Sequence, residues 1–323
     1  MMLESIIIVI FALILDLIIG DPKNKFHPTS WIGILIAKIV PRIKNESAFK
    51  EKLGGILLVV LVTSFVSSLL VLLNFGIQNI SIEFIQVSVI IIIGIILLKS
   101  TIAIKGMEKH AMAVIDSLEK NDLGAARNNL SMIVKRKTTN LDKNHVLSGT
   151  LESISENTVD GVTGPLFYFT FFGIIGAFVY RIVNTIDSMI GYKTNIFKNV
   201  GWFGANCDKI LNYIPARITS IMMIIAAMIL GFDWKKSYKI MRRDAKNTES
   251  PNAGYPMSVL AGALGTKFEK INHYSVGDGS IELTKIHLHS AISLMKITSI
   301  LFCLIFTIPV ITILSYFGWW IHA

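Results

Sequence analysis

Apolar residues in this chain come in long runs broken by polar stretches. The strongest runs are Leu3 to Gly20, Leu53 to Leu73, Ile82 to Leu98, Leu166 to Val183, Ile218 to Gly231 and Ile297 to Phe317. A helix needs about 20 apolar residues to cross a bilayer, so the runs predict about five or six spans. Ile218 to Gly231 is short and reaches spanning length only if Ile214 to Arg217 joins it. Thr29 to Val40 is apolar but too short to span, and is expected to be re-entrant or interfacial. The first run lacks a basic leader and a small-residue cleavage pattern, so it is expected to stay as a helix.

The polar stretches carry a different pattern. Met107, Ala111, Val114, Ile115 and Leu118 recur at spacings of three and four, which predicts amphipathic helices from Lys105 to Leu151. Asn121-Asp122-Leu123-Gly124 predicts a break among them. Phe172-Gly173-Ile174-Ile175-Gly176 would let the fourth run bend or re-enter, which is tolerated at membrane depth where the broken turn lines protein or a water-filled cavity. The expected fold is all-α: a polytopic helical membrane domain over residues 1–323, with cytoplasmic segments at 105–151 and 233–296, room for re-entrant segments and little strand.

Composition sharpens the membrane reading. The chain has 323 residues, 52% of them hydrophobic and only 16% charged. A soluble domain carries about 25% charged residues, so charge is what is lacking. Mean hydropathy is +0.60. The net charge of +9 matters through its distribution. Lys23, Lys25, Lys38, Arg42, Lys44, Lys50 and Lys52 follow the first run, and further basic stretches cover Lys99 to Lys143 and Lys235 to Lys296. Asn74 to Ser81 has no Lys or Arg. The positive-inside rule then places the basic stretches in the cytoplasm and the N-terminus outside, in the cell membrane. Simple alternation puts Asn184 to Pro215 outside, unless the fourth and fifth runs both turn back. Basic residues are not interleaved with aromatics, which argues against a nucleic-acid partner and leaves membrane lipid as the expected one. Cys207 and Cys303 give no disulfide framework and no Cys-based zinc site.

Candidate chemistry falls into clusters. Asp16 lies inside an apolar run, and Asp21-Pro22 with His27-Pro28 follows it. An intramembrane carboxylate is a functional candidate by default; the alternative is a helix-end carboxylate before a turn. Glu152, Glu156 and Asp160 stand at i, i+4 and i+8, with Ser153 and Asn157 beside them. Like charges at that spacing destabilise a helix, so Mg²⁺ or basic side chains should face them. Asn184, Asp187 and Ser188 share a face ahead of Tyr192. Arg217 opens an apolar run, where its guanidinium pairs an anion or snorkels to lipid headgroups. Arg242, Arg243 and Asp244 precede Ser250-Pro251-Asn252-Ala253-Gly254-Tyr255-Pro256, whose prolines and glycine predict a shaped loop. Gly262 to Lys267 only superficially suggests a phosphate loop. His287 and His289 are expected to be a surface pair.

In this order the clusters resemble the CobD/CbiB family of cobalamin biosynthesis. Asp16-Leu17-Ile18-Ile19-Gly20-Asp21-Pro22 with His27-Pro28 is similar to its N-terminal motif, and Glu152 to Gly161 to its central one. Asn184 to Tyr192, Asn212 to Arg217, and Arg243-Asp244 with Ser250 to Pro256 resemble the rest. Thr29 stands where Val is usual and Tyr255 where Trp is common.

The resemblance implies an ATP-dependent amide synthase, an acid–amine ligase. It would join the carboxylate of adenosylcobyric acid to aminopropanol or its phosphate, with Mg²⁺ and ATP. Its partners would be the corrinoid, the small amino alcohol (phosphate) and other cobalamin-pathway enzymes. On that reading Asp16, Asp21, His27, Asn157 and Asp187 are catalytic candidates. Asn184, Tyr192, Arg217, Arg243, Asp244, Ser250, Asn252 and Gly254 would bind substrate, and Glu152, Glu156 and Asp160 the metal. The rival expectations are a transporter for a metal ion or corrinoid, favoured by Asp16 and a broken fourth helix, and a non-catalytic scaffold.

Overall fold

The computed structural model describes residues 2–20, 27–192, 194–279 and 284–319. The helices are α1 (Met2–Ile18), α2 (Pro28–Ile43), α3 (Ala48–Gln78), α4 (Glu83–Lys99), α5 (Ile104–Glu119), α6 (Leu123–Ser131) and α7 (Lys143–Thr158). A π turn, Val159–Thr163, leads into α8 (Gly164–Ile190), followed by α9 (Trp202–Leu211), α10 (Tyr213–Ile229), α11 (Trp234–Asp244) and α12 (Pro251–Leu264). A hairpin of β1 (Lys267–Lys270) and β2 (Tyr274–Gly277) precedes α13 (Lys285–Leu301), a second π segment (Phe302–Thr307) and α14 (Ile308–Tyr316). The expected all-α membrane fold is what the chain forms.

Four helical stretches are long and apolar enough to cross a membrane: Ala48–Gln78, Glu83–Glu119, Lys143–Ile190 and Lys285–Tyr316. A fifth is added if α9 and α10 form one bent span. Within Lys143–Ile190 the apolar part is α8; α7 (KNHVLSGTLESISENT) is polar and lies outside it. The first run falls short of the expectation. α1 has 17 residues, about 25 Å of helix against a hydrocarbon core of about 30 Å.

The chain groups into two compact units. The first comprises 1–102, 164–212 and 305–323. Its core packs Ile32, Ile36 and Val40 of α2 with Leu58, Val59 and Val62 of α3 and Phe178, Ile182 and Ile186 of α8. The segment Thr29 to Val40 is thus a helix packed into that core. The glycine signal in the fourth run is realised: Gly173 sits at φ 61° and ψ −153°, a break inside α8 that a side chain would not tolerate. The Trp319 indole donates to the Phe171 carbonyl across 2.7 Å. That bond supplies a partner to backbone beside the break, where an orphaned carbonyl in hydrocarbon would be costly.

The second unit comprises 103–163 and 213–304. Met107, Ala111, Val114 and Ile115 are all buried, as their spacing predicts. The break comes where expected: Asn121 takes φ 56°, and the Asp122 carboxylate caps α6 by accepting the Ala125 N–H at 2.8 Å. In the antiparallel hairpin Phe268 faces Val276, and both are fully buried.

One local expectation is corrected. Ser250 to Pro256 is not a loop, because Pro251 begins α12, where the missing N–H has no intrahelical partner to lose. Gly254 serves packing there: a Cβ would lie 2.1 Å from the Ala245 carbonyl oxygen. Gly262 to Lys267 ends that helix, with Gly265 in the left-handed conformation at φ 63° and the Thr266 N–H reaching back to the Ala261 carbonyl.

Candidate active site

The candidate residues divide between the units. In the first, Asp16 is fully buried on α1, and Lys99 of α4 brings its ammonium to 3.5 Å. Asp16 in its apolar run is therefore one half of a buried ion pair with Lys99, which the sequence marked only as the start of a basic stretch. Asp21 lies outside the described residues. His27 is buried at the N-cap of α2, and its Nδ1 meets the Thr29 hydroxyl. Asn184 of α8 is buried and donates to Asp208 at 3.2 Å, and Asn212 donates to the other oxygen of Asp208 at 3.1 Å. The Tyr180 hydroxyl completes the chain by donating to Asn212 at 2.7 Å. Asp187 is half-buried on the next turn, and the Tyr192 hydroxyl donates to the Ser188 carbonyl. Of the expected polar face of α8, Asn184 enters a buried amide–carboxylate network that draws in α9, while Ser188 is exposed.

In the second unit α7 carries the acidic face. Glu152 is buried and fully engaged. One oxygen accepts from Arg136 at 3.2 Å and Ser148 at 2.8 Å, and the other from the Tyr274 hydroxyl at 2.8 Å. Burial, then the negative charges of Glu152 and Glu156, push the Tyr274 phenol far above its ordinary range, so it stays a donor. Ser148 also accepts the Glu269 N–H, which ties α7 to β1. Glu156, one turn on, is half-buried and makes no hydrogen bond among the described residues. Burial and then the Glu152 charge raise its carboxyl to about 7, against the pull of Lys135, Lys270 and Arg136. Asn157 donates to the Ser153 carbonyl, and Asp160 sits half-buried in the π turn. Such turns are often found at functional sites.

The expected counter-cation for this face is met in part by Arg136. Among the described residues no group of three His, Cys, Asp or Glu side chains is placed to hold a metal ion. Glu152, Glu156 and Asp160 thus do not form a ligand set by themselves. Arg136, Ser148 and Tyr274 come from other stretches of the chain, and no periodicity pointed to them.

The two arginine clusters differ. Arg243 donates through Nε and Nη2 to the two oxygens of Asp244, at 2.6 and 2.7 Å, and through Nη1 to Asp278 at 2.7 Å. Asp244 also accepts the Gly277 N–H at 2.9 Å. Burial alone would raise the Asp244 carboxyl, but the Arg243 donors and the Gly277 N–H hold it below the ordinary range. Arg217 is half-buried on α10 and pairs with no carboxylate among the described residues. Its guanidinium carbon lies 3.5 Å from the centre of the Tyr213 ring and 4.4 Å from that of Tyr255. One Nη donates to the Asn252 side-chain oxygen at 3.3 Å. Tyr213 precedes Arg217 by one helical turn, a stacking pair readable in principle from the i, i+4 spacing. Ser250 is the N-cap residue of α12 without a side-chain cap, and Asn252 lies in its first turn.

The chain matches the family described as CobD/Cbib protein over residues 9–300. It is 39% identical over 302 residues to a "Probable cobalamin biosynthesis protein CobD" of Methanothermobacter thermautotrophicus, covering 94% of this chain and 97% of that one. It is 35% identical over 279 residues to the "Cobalamin biosynthesis protein CobD" of Dehalococcoides mccartyi, covering 85% and 88%. A protein of the same name from Leptospira interrogans is 38% identical over 267 residues, covering 82% of each. No solved structure gives a significant match.

Proposed function

This chain belongs to the CobD/CbiB protein family of cobalamin biosynthesis, and from that premise we propose that it is an amide synthase of the cell membrane. It joins the carboxylate of adenosylcobyric acid to the amine of aminopropanol or its phosphate. The observation that carries the proposal is Arg217. A half-buried guanidinium packed on two tyrosine rings, bonded to the Tyr213 carbonyl and the Asn252 amide oxygen and to no carboxylate among the described residues, is preorganised to pair its remaining donors with two oxygens of an anion. Phosphate, on the amine donor or on ATP, is that anion.

The chemistry sets the other requirements. A carboxylate is a poor electrophile, so ATP transfers its terminal phosphoryl group to a carboxylate oxygen and leaves as ADP. The amine then attacks the acyl carbon, loses a proton, and inorganic phosphate departs. Basic side chains and amide donors stabilise the oxyanion of that attack, and Arg217 and Asn252 supply both types at one place. Glu156 is the carboxylate of α7 without a hydrogen-bonded partner among the described residues. It is the protein ligand we assign to Mg²⁺, the remaining ligands coming from substrate phosphate and water. The basic stretches lie on the cytoplasmic side, where other pathway enzymes would supply the corrinoid.

The decisive experiment is mass spectrometry of corrinoid products formed by the purified protein, with each amine in turn, with and without ATP. Amide product and equimolar ADP are expected. No product with either amine, together with substrate flux into sealed vesicles, would establish the transporter instead.

A further inference from the structure

Helix α11 has two faces of opposite chemistry. Ser237, Ile240 and Asp244 point inward and are buried. On the other side Lys235, Lys239 and Arg242 are exposed, at intervals of four and three residues that align them on one face, and Lys246 is exposed two residues past the end of the helix. None of these four is held in an ion pair among the described residues. Trp234 and Tyr238 lie among them, 40% and 48% exposed. Each ring carries a cation above it: Lys235 at 5.7 Å from Trp234, and Arg242 at 5.9 Å from Tyr238. Arg243 does not belong to this set, because Asp244 and Asp278 occupy it.

The position of α11 in the chain says what such a face meets. It follows α10 after a short turn through Gly231, at φ 72°. α10 exposes Ile214, Ile221 and Met228, between 52% and 53% each, at seven-residue intervals that form one apolar stripe. The opposite side of α10 is buried through Ala216, Met223 and Ala227. A stripe of that kind faces lipid, so the start of α11 lies within a turn or two of the bilayer edge. Tryptophan and tyrosine favour the headgroup level, and basic residues just beyond a span are drawn to anionic headgroups. A soluble polyanion would meet the charges but gives no reason for the exposed rings.

We propose that α11 is an interfacial helix whose Lys235, Lys239 and Arg242, with Lys246 just past its end, bind the headgroups of anionic phospholipids, with Trp234 and Tyr238 seated at the headgroup level. The site serves the membrane and not the amide chemistry, and its test needs no activity.

The test uses the full chain with Cys207 and Cys303 replaced by Ser and an environment-sensitive fluorophore on Tyr238→Cys. The protein is held in phosphatidylcholine nanodiscs with or without phosphatidylglycerol. Phosphatidylglycerol should shift the emission to the blue, and raising the salt to about 1 M, where screening is complete within roughly 3 Å, should reverse it. Each Lys→Gln or Arg→Gln change on the face should weaken the phosphatidylglycerol effect roughly fivefold. A threefold variant, Lys235→Arg, Lys239→Arg and Lys246→Arg, should keep the shift, which separates lost charge from lost folding. Equal emission in both lipids, or a shift that survives all four glutamines, overturns the proposal. So does a shift that appears with added RNA in phosphatidylcholine but not with phosphatidylglycerol.

Discussion

At the junction of α11 with the hairpin, Arg243 spends its donors on Asp244, Asp278 and the Gly277 carbonyl. At the edge shared by α10 and α12, Arg217 is stacked between tyrosines and meets no carboxylate among the described residues. Both arginines belong to stretches that resemble one family's motifs, and both are rich in donors. Carboxylate partners convert the first into a clasp between a helix and a hairpin. Aromatic faces orient the second without neutralising it. The acidic face of α7 repeats the contrast one turn apart. Glu152 is used up by Arg136, Ser148 and Tyr274, while Glu156 has no hydrogen-bonded partner among the described residues. Saturated groups should show their removal in stability, and open groups in ligand binding and catalysis.

The largest effect is expected at Arg217. Replacing it with Ala removes a charge-assisted contact of about 3 kcal/mol, so kcat/KM should fall on the order of a hundredfold. Thermal stability should move by less than about 1 kcal/mol, since no buried carboxylate is left unpaired. A melting temperature that drops as steeply as the activity would place Arg217 among the clasps and break the comparison.

Glu156 gives a pH signature of similar size. Its folded carboxyl is raised to about 7 from 4.5. Between those values the folded chain holds a proton that the unfolded chain has released. Stability therefore falls as pH rises through that window and stays lower above it, by up to about 3 kcal/mol. Glu156→Gln cannot ionise, so its melting temperature should stay flat across the window and exceed the wild type at pH 8, measured with EDTA present. Parallel pH profiles for the two proteins would show that Glu156 is not held in this way. Activity should move in the opposite sense, with Glu156→Gln needing more Mg²⁺ than the wild type.

Arg243→Ala tests the other side. It strands the buried Asp244 carboxylate with the Gly277 N–H and the Asn247 amide. Arg243 is 47% exposed, which tempers the loss to about 2 kcal/mol. Denaturant unfolding should show that loss while KM for every substrate stays at the wild-type value. A raised KM in well-folded protein would return Arg243 to the substrate-binding set.

How much of this the sequence disclosed follows from the range of each interaction. Spanning helices, the amphipathic face of α5, the break at Asn121 to Gly124 and the break at Gly173 depend on neighbours within a few residues, and all were readable. Pro251 and Pro256 misled, because proline punctuates a loop in most settings and opens a helix in this one. Arg136, Ser148 and Tyr274 meet around Glu152 from separate stretches, and nothing local marks them. Tyr213 lay in plain view one turn before Arg217. Tyr255 acquires its meaning only once α12 is packed on α10.

The finest discrimination comes from Arg217→Lys. Lysine keeps the positive charge but loses the planar fork that aligns two N–H donors with two phosphate oxygens. It also loses the flat face that lies 3.5 Å from the Tyr213 ring centre. If about 1.4 kcal/mol is lost equally from the bound substrate and the transition state, KM for the phosphorylated substrate rises roughly tenfold and kcat is unchanged. Varying ATP and the amine donor separately shows which of them carries the phosphate that Arg217 holds, since the KM of that substrate alone should move. An arginine that merely snorkels to lipid headgroups is replaced well by lysine, because an ammonium on a flexible stem serves that purpose equally. Wild-type constants for both substrates in Arg217→Lys would therefore leave the lipid-anchor role and remove Arg217 from the active site.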